Sequence, residues 1–534
     1  MKINQNCSKL ITDVSLRIRP DKAASKAQLS GMVARSLRLK PNQINDIRII
    51  RQSIDARRNP VMLNLTVRVA TGDDKTVEAD FNPIKFENLP SDAPIVAIVG
   101  AGPAGLFGAL EAIRLGLRPI VLERGKDVDG RRLDIAQISR RKKINPDSNY
   151  CFGEGGAGTF SDGKLYTRSK KRGDNSEVLR LLVQFGASPD ILIDAHPHIG
   201  SDRLPHVIKN IRCAIMQYGG EVRFETKVTS LILASDGRVE GVETDRGPVK
   251  ADAVILAIGH SAHDTFRVLA EQSVEMQPKG IAVGIRLEHP QSLIDRIQYH
   301  SEEGRGKFLP PAEYSFLSRV DDRGVYSFCM CPGGVVVPAG SGDCELVVNG
   351  MSASARAGKW ANSGMVVEIL PGDFPEFESR GPLQMLELQE SLERKFFECS
   401  GNSIVAPAQR MIDFTDGKVS ESLPESSYAP GIHSADFNEL LPPFLAERLR
   451  KGFLDFGRKA TGFLTNDAIL IGLESRTSSP VRITRDRDTL QSVSVTGLFP
   501  AGEGAGYAGG IVSAAIDGIR CADSAAKYIE QIKK

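Results

Sequence analysis

The stretch that most constrains this chain runs from Pro94 to Arg124, PIVAIVGAGPAGLFGALEAIRLGLRPIVLER. Ile95 to Val99 is an unbroken apolar run of strand formers, the pattern of a parallel strand buried on both faces. Gly100-Ala101-Gly102-Pro103-Ala104-Gly105 follows and matches G-x-G-x-x-G. A helix is predicted next, with Ala104, Phe107, Leu110 and Ile113 on one face. Ile120 to Leu122 forms a second apolar strand that closes on Glu123. Gly100 permits the tight turn, Gly102 leaves room for a pyrophosphate, and Gly105 lets helix and strand pack closely. Pro103 in the first helical turn gives up only an N–H that would lack a partner. The free N–H groups and the positive end of the helix dipole face the diphosphate. Glu123, 23 residues after Gly100, is placed to accept hydrogen bonds from the adenosine ribose. Strand, turn, helix, strand and acid fall in order, which favours a dinucleotide site over an ordinary βαβ unit with a glycine turn.

A second match, Gly153-Glu154-Gly155-Gly156-Ala157-Gly158, lacks that context. It follows the polar loop Asn145–Asn149 and precedes Thr159-Phe160-Ser161-Asp162-Gly163, with no strand before it. It reads as a glycine loop lying against a ligand.

A chain of 534 residues needs two or three cores. Its 41% hydrophobic and 25% charged residues are those of a globular protein, and no apolar run reaches the length of a membrane span. The eight cysteines are scattered without framework spacing and no secretory signal opens the chain, which predicts reduced thiols in a cytoplasm. Net charge is +2, yet residues 1–90 hold 16 Lys/Arg against 9 Asp/Glu.

Residues 1–90 read as a small basic α+β domain. Strands are predicted at Leu10–Ile18, Ile44–Ile50 and Val61–Val69, with a helix over Lys22–Leu37 and a linker at Asn88–Asp92. Arg48, Arg51, Arg57 and Arg58 form either an anion-binding face or, the preferred reading, an ordinary solvated surface. Further on, Val222–Val228 and Val228–Ala234 are predicted strands, Ser235–Arg238 a hairpin turn, and Ala253–Gly259 a buried parallel strand. Mixed patterns over 270–455 include strands at Ile281–Leu287 and Val325–Cys329 and helices near Pro382–Phe396 and Pro442–Phe456. The glycine-rich segment Gly497–Gly510 then leads into an apolar C-terminal helix.

GAGPAG with VLER, the glycine-ended strand at Ala257–Gly259, and AGEGAGYAGGIVSAAIDG together resemble FAD enzymes of the glutathione-reductase superfamily. FGEGGAGTFSDGKL, GIRLEHPQSLIDRIQ, YSFCMCPGG, NGMSASAR and ANSG resemble, more narrowly, a group of bacterial FAD-dependent dehydrogenases. The resemblance spans nearly the whole chain. It implies an α/β fold in which a discontinuous Rossmann-like FAD-binding domain carries a mixed α+β substrate domain and the small N-terminal α+β domain. The divisions are 1–90 for the small domain, 91–270 and 456–534 for the two parts of the FAD domain, and 271–455 for the substrate domain. It also implies a flavin oxidoreductase. Gly100, Gly102, Pro103, Ala104, Gly105 and Glu123 match the adenosine-diphosphate end. Gly502, Glu503, Gly510 and Ile511 match the second FAD segment, and Gly156, Ala157, Gly158, Thr159 and Asp162 the loop near the flavin ring. Arg124, Arg131, Lys164, Val228 and Gly259 complete the candidate cofactor set. Glu503 stands where the superfamily usually has Asp.

No catalytic triad is visible, and a flavin enzyme needs none. Cys329-Met330-Cys331 on a strand would put both sulfurs on one face. Two buried cysteines acting as small hydrophobes is the preferred reading and a reactive pair the alternative. His196, His198 and His206 lack a completing ligand and read as surface residues, so no metal is expected. No second well-placed dinucleotide motif provides an NAD(P)H domain, so the electron donor would be external NAD(P)H or a protein. A small organic substrate leads; the alternatives are a flavoprotein acting on RNA, with residues 1–90 as the docking domain, and a flavin-binding regulatory protein.

Overall fold

The computed structural model describes residues 10–72, 76–77, 81–166 and 175–533; Cys7 lies outside them. The architecture is mixed α/β. A five-stranded parallel sheet, an eight-stranded largely antiparallel sheet and a small N-terminal sheet are its main layers.

The parallel sheet is organised by strand β1 (Ile95–Val99), buried almost throughout. Helix α1 (Pro103–Arg114) returns the chain to β2 (Arg118–Leu122), which pairs with β1 on one side. On the other side lies β3 (Ala253–Leu256), followed in space by Leu498–Pro500; Glu221–Arg223 edges β2. The chain order thus reverses on either side of β1. A crevice opens at the carboxyl ends of strands where such a reversal occurs.

The C-terminal helix Ile511–Ile532 crosses α1 at two glycines. A Cβ at Gly518 would lie 2.0 Å from the Ala104 carbonyl oxygen, and one at Gly108 would lie 3.1 Å from that of Gly518. Only bare backbone permits this approach. Ala104, Phe107, Ala515, Cys521 and Ala522 fill the surrounding core. The crossing brings both helix N-termini to the same crevice.

The eight-stranded sheet is built around β4 (Ile281–Pro290), β5 (Arg323–Pro338), β6 (Trp360–Ile369) and β7 (Ile469–Glu474). The expected strands at Ile281–Leu287 and Val325–Cys329 are the starts of β4 and β5. The expected helices appear at Gln384–Cys399 and Pro443–Lys459 and pack Phe396, Phe453 and Phe456 into the core. One expectation is corrected. The domain boundary at 455/456 falls inside this unit, because β7 pairs with β4 and with Ala406–Arg410.

In the N-terminal unit the strands Leu10–Ile18, Met62–Thr71 and Ile44–Asp55 form one antiparallel sheet, covered by the helix Lys26–Leu37. Ser25, whose side chain accepts from the Gln28 N–H, starts that helix later than the expected Lys22. The unit is seated on the parallel-sheet layer, since the Gln52 N–H donates to the Ile193 carbonyl at 2.8 Å. The segment after it is docked rather than a free linker. Gln184 exchanges two 2.9 Å bonds with the Ile84 backbone, and Phe86 lies between Phe185 and Tyr218.

Candidate functional site

The crevice begins where β1 ends. Gly100 adopts φ +106°, and a Cβ there would lie 2.4 Å from the Ala257 carbonyl oxygen. A Cβ on Gly105 would lie 1.9 Å from the Gly100 oxygen. These two glycines close the turn against itself. Gly102 differs: its nearest Cβ neighbour would be Gly156 Cα at 3.9 Å, and it lines the open cavity. It is also the N-cap of α1 and makes no side-chain cap, so the first-turn N–H groups point at the cavity uncapped by a side chain.

Glu123 is buried, and its carboxylate accepts from the N–H groups of Ala101, Gly125 and Gly153, each at 2.9 Å. It therefore ties the first glycine turn to the second glycine loop. The Gly155 N–H donates to the Ala101 carbonyl at 2.8 Å, completing that junction. The second loop carries a single short 3₁₀ turn, Gly156–Gly158, and contributes Gly156, Ala157 and Gly158 to the cavity wall.

Arg131 and Thr159 do not face the cavity. Arg131 is fully buried, and its guanidinium donates to the carbonyls of Asn149, Tyr150, Gly153, Glu154 and Gly156. Thr159 donates to the Glu154 carbonyl at 3.0 Å. Both residues hold the loop's shape. Arg124 and Val228 line a small side pocket of about 40 Å³ with Glu123, Phe152, Thr226 and Lys227. Arg124 lies over the Phe152 ring and is paired with Asp147 and Asp264.

The side pocket shares Gly100, Glu123, Phe152 and Ile258 with the main cavity, which has a volume of about 410 Å³. Glu503, Gly259, Gly510 and Ile511 line the middle of that cavity, together with Pro103 and Ala104. Glu503 lies 3.7 Å from His260 Nδ1. Gly502 sits behind the wall: its N–H donates to Asp517 at 2.8 Å, and a Cβ there would meet the Ala104 side chain at 2.8 Å. Ile511 approaches the second glycine loop at Gly158, where a Cβ would sit 2.9 Å from its side chain.

The far end of the cavity is a polar chamber lined by Ser161, Asp162, Lys164, Tyr166, Phe328, Cys329, Asn349, Arg476 and Thr477. Asp162 is buried and bound by Arg356 at 2.5 and 2.9 Å, with Lys164 at 3.6 Å. Arg356 also pairs with Glu313 at 2.5 Å. Burial would push the Glu313 carboxyl up, but His196, Arg356 and Lys164 hold it down at about 2. Burial works against the charge on Lys164, and the nearby Cys331, Cys329, Asp162 and Glu313 outweigh it, so its pKa is raised. The His196 ring lies tilted against Tyr166 at 4.9 Å, His198 bonds the Ser354 carbonyl, and His206 is exposed.

Behind the chamber lies a buried network that sequence reasoning did not single out. Arg286 on β4 is fully buried and pairs with Glu474 on β7 at 3.1 Å. It also donates to Asn362 at 2.9 Å, to Asn349 at 3.3 Å and to the Cys329 carbonyl at 2.8 Å. Two glycines make room for it. A Cβ at Gly350 would lie 2.1 Å from the Arg286 guanidinium, and one at Gly364 would lie 3.1 Å from the Glu474 side chain. The signal for this network was an arginine inside the apolar run Ile281–Leu287, since a charge in a buried strand demands partners.

The site fits FAD. Gly102 keeps a diphosphate-sized approach open, two helix N-termini converge on it, and Ser261 Oγ on the cavity wall is buried without a partner among the described residues.

Residues 280–477 match the family described as FAD-dependent protein, C-terminal domain-like, and residues 10–70 match a domain of unknown function. An uncharacterized protein of Clostridium beijerinckii is 41% identical over 512 residues, covering 93% of this chain and 95% of its own length. This chain belongs to the same family as that clostridial protein. Protein FixC of Escherichia coli is 28% identical over 222 residues, 39% of this chain and 46% of its own. Among solved structures, a geranylgeranyl bacteriochlorophyll reductase-like protein of Thermoplasma acidophilum shows 14% identity and a TM-score of 0.36, covering 82% of this chain and 79% of its own. The flavin-dependent brominase Bmp2 shows 15% identity and a TM-score of 0.36, covering 82% and 80%. FAD is the cofactor of this chain. No helix among the described residues is long and apolar enough to cross a membrane.

Proposed function

We propose that the protein is an oxidoreductase of the glutathione-reductase type, moving a hydride or electrons between FAD and a small organic substrate held in the polar chamber. One observation carries this reading: a single cavity runs from the α1 N-terminus to a chamber lined by Asp162, Lys164, Cys329 and Asn349. In this reading the FAD domain is Rossmann-like and discontinuous, contributed by β1 to β3 and by the chain after Glu474. FAD supplies two-electron redox chemistry when bound.

The chain's own residues do the rest. Gly102 and the first-turn N–H groups of α1 take the diphosphate. Glu123, already accepting three N–H groups, keeps its remaining acceptor capacity for the adenosine ribose. Arg124 and Val228 frame the adenosine end, and Glu503 accepts from the ribityl chain. Lys164 stays charged in the chamber wall and holds an anionic or carbonyl oxygen of the substrate. Asp162, fixed by Arg356, keeps Lys164 in place.

The test is anaerobic reduction of the flavin-loaded protein with a panel of donors, including NADH, NADPH and candidate metabolites, followed by absorbance. Bleaching by a donor, reversed by an acceptor, is the expected result. A protein that carries FMN or no flavin overturns the reading, and a flavin that no donor reduces turns it toward a binding protein.

The RNA reading has one feature in its favour. The open face of the N-terminal sheet carries Arg17, Arg51, Asn64 and Thr66 around a shallow cavity of about 360 Å³. Binding that weakens steeply with salt would support it; no binding at low salt would end it.

A further inference from the structure

We propose that Cys329 and Cys331 form a reversible dithiol–disulfide pair in the wall of the chamber, exchanging two electrons with bound FAD. The inference rests on the FAD reading above and names the chain's own redox partner for it.

The geometry departs from a regular strand at these two residues. β5 shifts register against β6 between Phe328 and Cys331 and again between Cys331 and Gly334. Cys329 itself is left-handed, at φ +46°. A non-glycine residue there is uncommon, and such strain clusters at functional positions. In a regular strand, residues two apart lie about 6.6 Å apart, near the outer limit of about 6.8 Å for a disulfide. At the bulge the Cys331 side chain folds back on Cys329, its Sγ lying 3.3 Å from the Cys329 carbonyl oxygen.

The two sulfurs are not equivalent. Cys329 is partly exposed and lines the chamber, whereas Cys331 is buried. Arg286 donates to the Cys329 carbonyl and approaches Cys331 Sγ at 3.4 Å, fixing both residues. The hydrogen bond from Cys331, assisted by Lys164 and Arg286 against burial and Asp162, lowers the Cys329 thiol to about 6, while Cys331 is raised. An accessible thiolate beside a buried resolving thiol is the arrangement of an exchanging pair.

In the forward step the Cys331 S–H bond breaks and its sulfur forms an S–S bond with the Cys329 thiolate. Two electrons pass to oxidised FAD, and the single Cys331 proton goes to the reduced flavin or to solvent. In the reverse direction, reduced FAD returns the electrons and the disulfide opens.

The test is an anaerobic dithionite titration of the air-oxidised, flavin-loaded protein, with alkylation and peptide mapping before and after. The wild type is expected to take up twice the electrons per flavin of Cys329→Ser and Cys331→Ala, with both thiols blocked before reduction and alkylated after. Equal uptake in all three, with both thiols free after oxidation, overturns the pair and leaves the FAD reading standing. A protein with no flavin overturns the FAD reading, and the electron exchange with it. If one variant does not fold, the other and the mapping of the wild type still decide.

Discussion

Gly102 and Gly105 belong to one motif, yet the structure assigns them opposite jobs, and substitution separates them. At Gly102 the backbone is extended, with φ −76°, and a Cβ would meet nothing nearer than 3.9 Å. Gly102→Leu should leave the flavin-free fold intact and fill the space a diphosphate needs. At Gly105 a Cβ would lie 1.9 Å from a backbone oxygen. Gly105→Ala should therefore push β1 and α1 apart, an overpacking that costs roughly 1–3 kcal/mol or more. FAD at a thousand times its dissociation constant adds about 4 kcal/mol of stability. Thermal melts of deflavinated protein, with and without FAD, read both effects. Wild type should melt higher with FAD. Gly102→Leu should melt like flavin-free wild type in both conditions, and Gly105→Ala should melt lower even without FAD. A wild-type FAD shift in Gly102→Leu would refute the assignment of the diphosphate to this turn.

Arg286→Met leaves the Glu474 carboxylate buried without its cation, which should cost about 3–5 kcal/mol in chemical denaturation, and adding Glu474→Gln should recover part of it. Lys164→Met removes a cation that favours the Cys329 thiolate. Alkylation of Cys329 should then require higher pH than in the wild type, because a lost positive charge raises a thiol pKa; an unchanged profile would show that Lys164 does not act on it. A chain starting at Phe81 keeps Ile84, Phe86 and Leu89 on the parallel-sheet layer and should bind FAD, whereas one starting at Ser91 uncovers that surface and should melt lower.

The first glycine turn was legible because everything that defines it is local: β1, α1, β2 and Glu123 lie within one short stretch. The second glycine loop was legible as a cavity wall for the same reason. Arg131 and Thr159 were less legible, because a polar side chain beside a glycine loop has two targets, the ligand or the loop's own carbonyls. Only the path of residues 149–156 around Arg131 decides between them. The boundary after residue 455 was misplaced for a related reason: an apolar strand such as Ile469–Glu474 suits either sheet, and its pairing with β4 is non-local.

The pair Cys329 and Cys331 shows what periodicity leaves out. Alternation predicts two sulfurs on one face of a strand, and the bulge replaces that with one sulfur at the cavity and one behind it. The cause lies in the neighbours. Gly333 is left-handed at φ +51°, and a Cβ there would lie 1.8 Å from the Arg356 carbonyl oxygen. Beyond it β5 turns from β6 to pair with Val348–Met351. The same turn brings Asn349 and Gly350 against Arg286, whose guanidinium then holds the Cys329 carbonyl. The glycines of these motifs, the buried arginine and the cysteine bulge are thus one construction, and its outward face is the chamber wall.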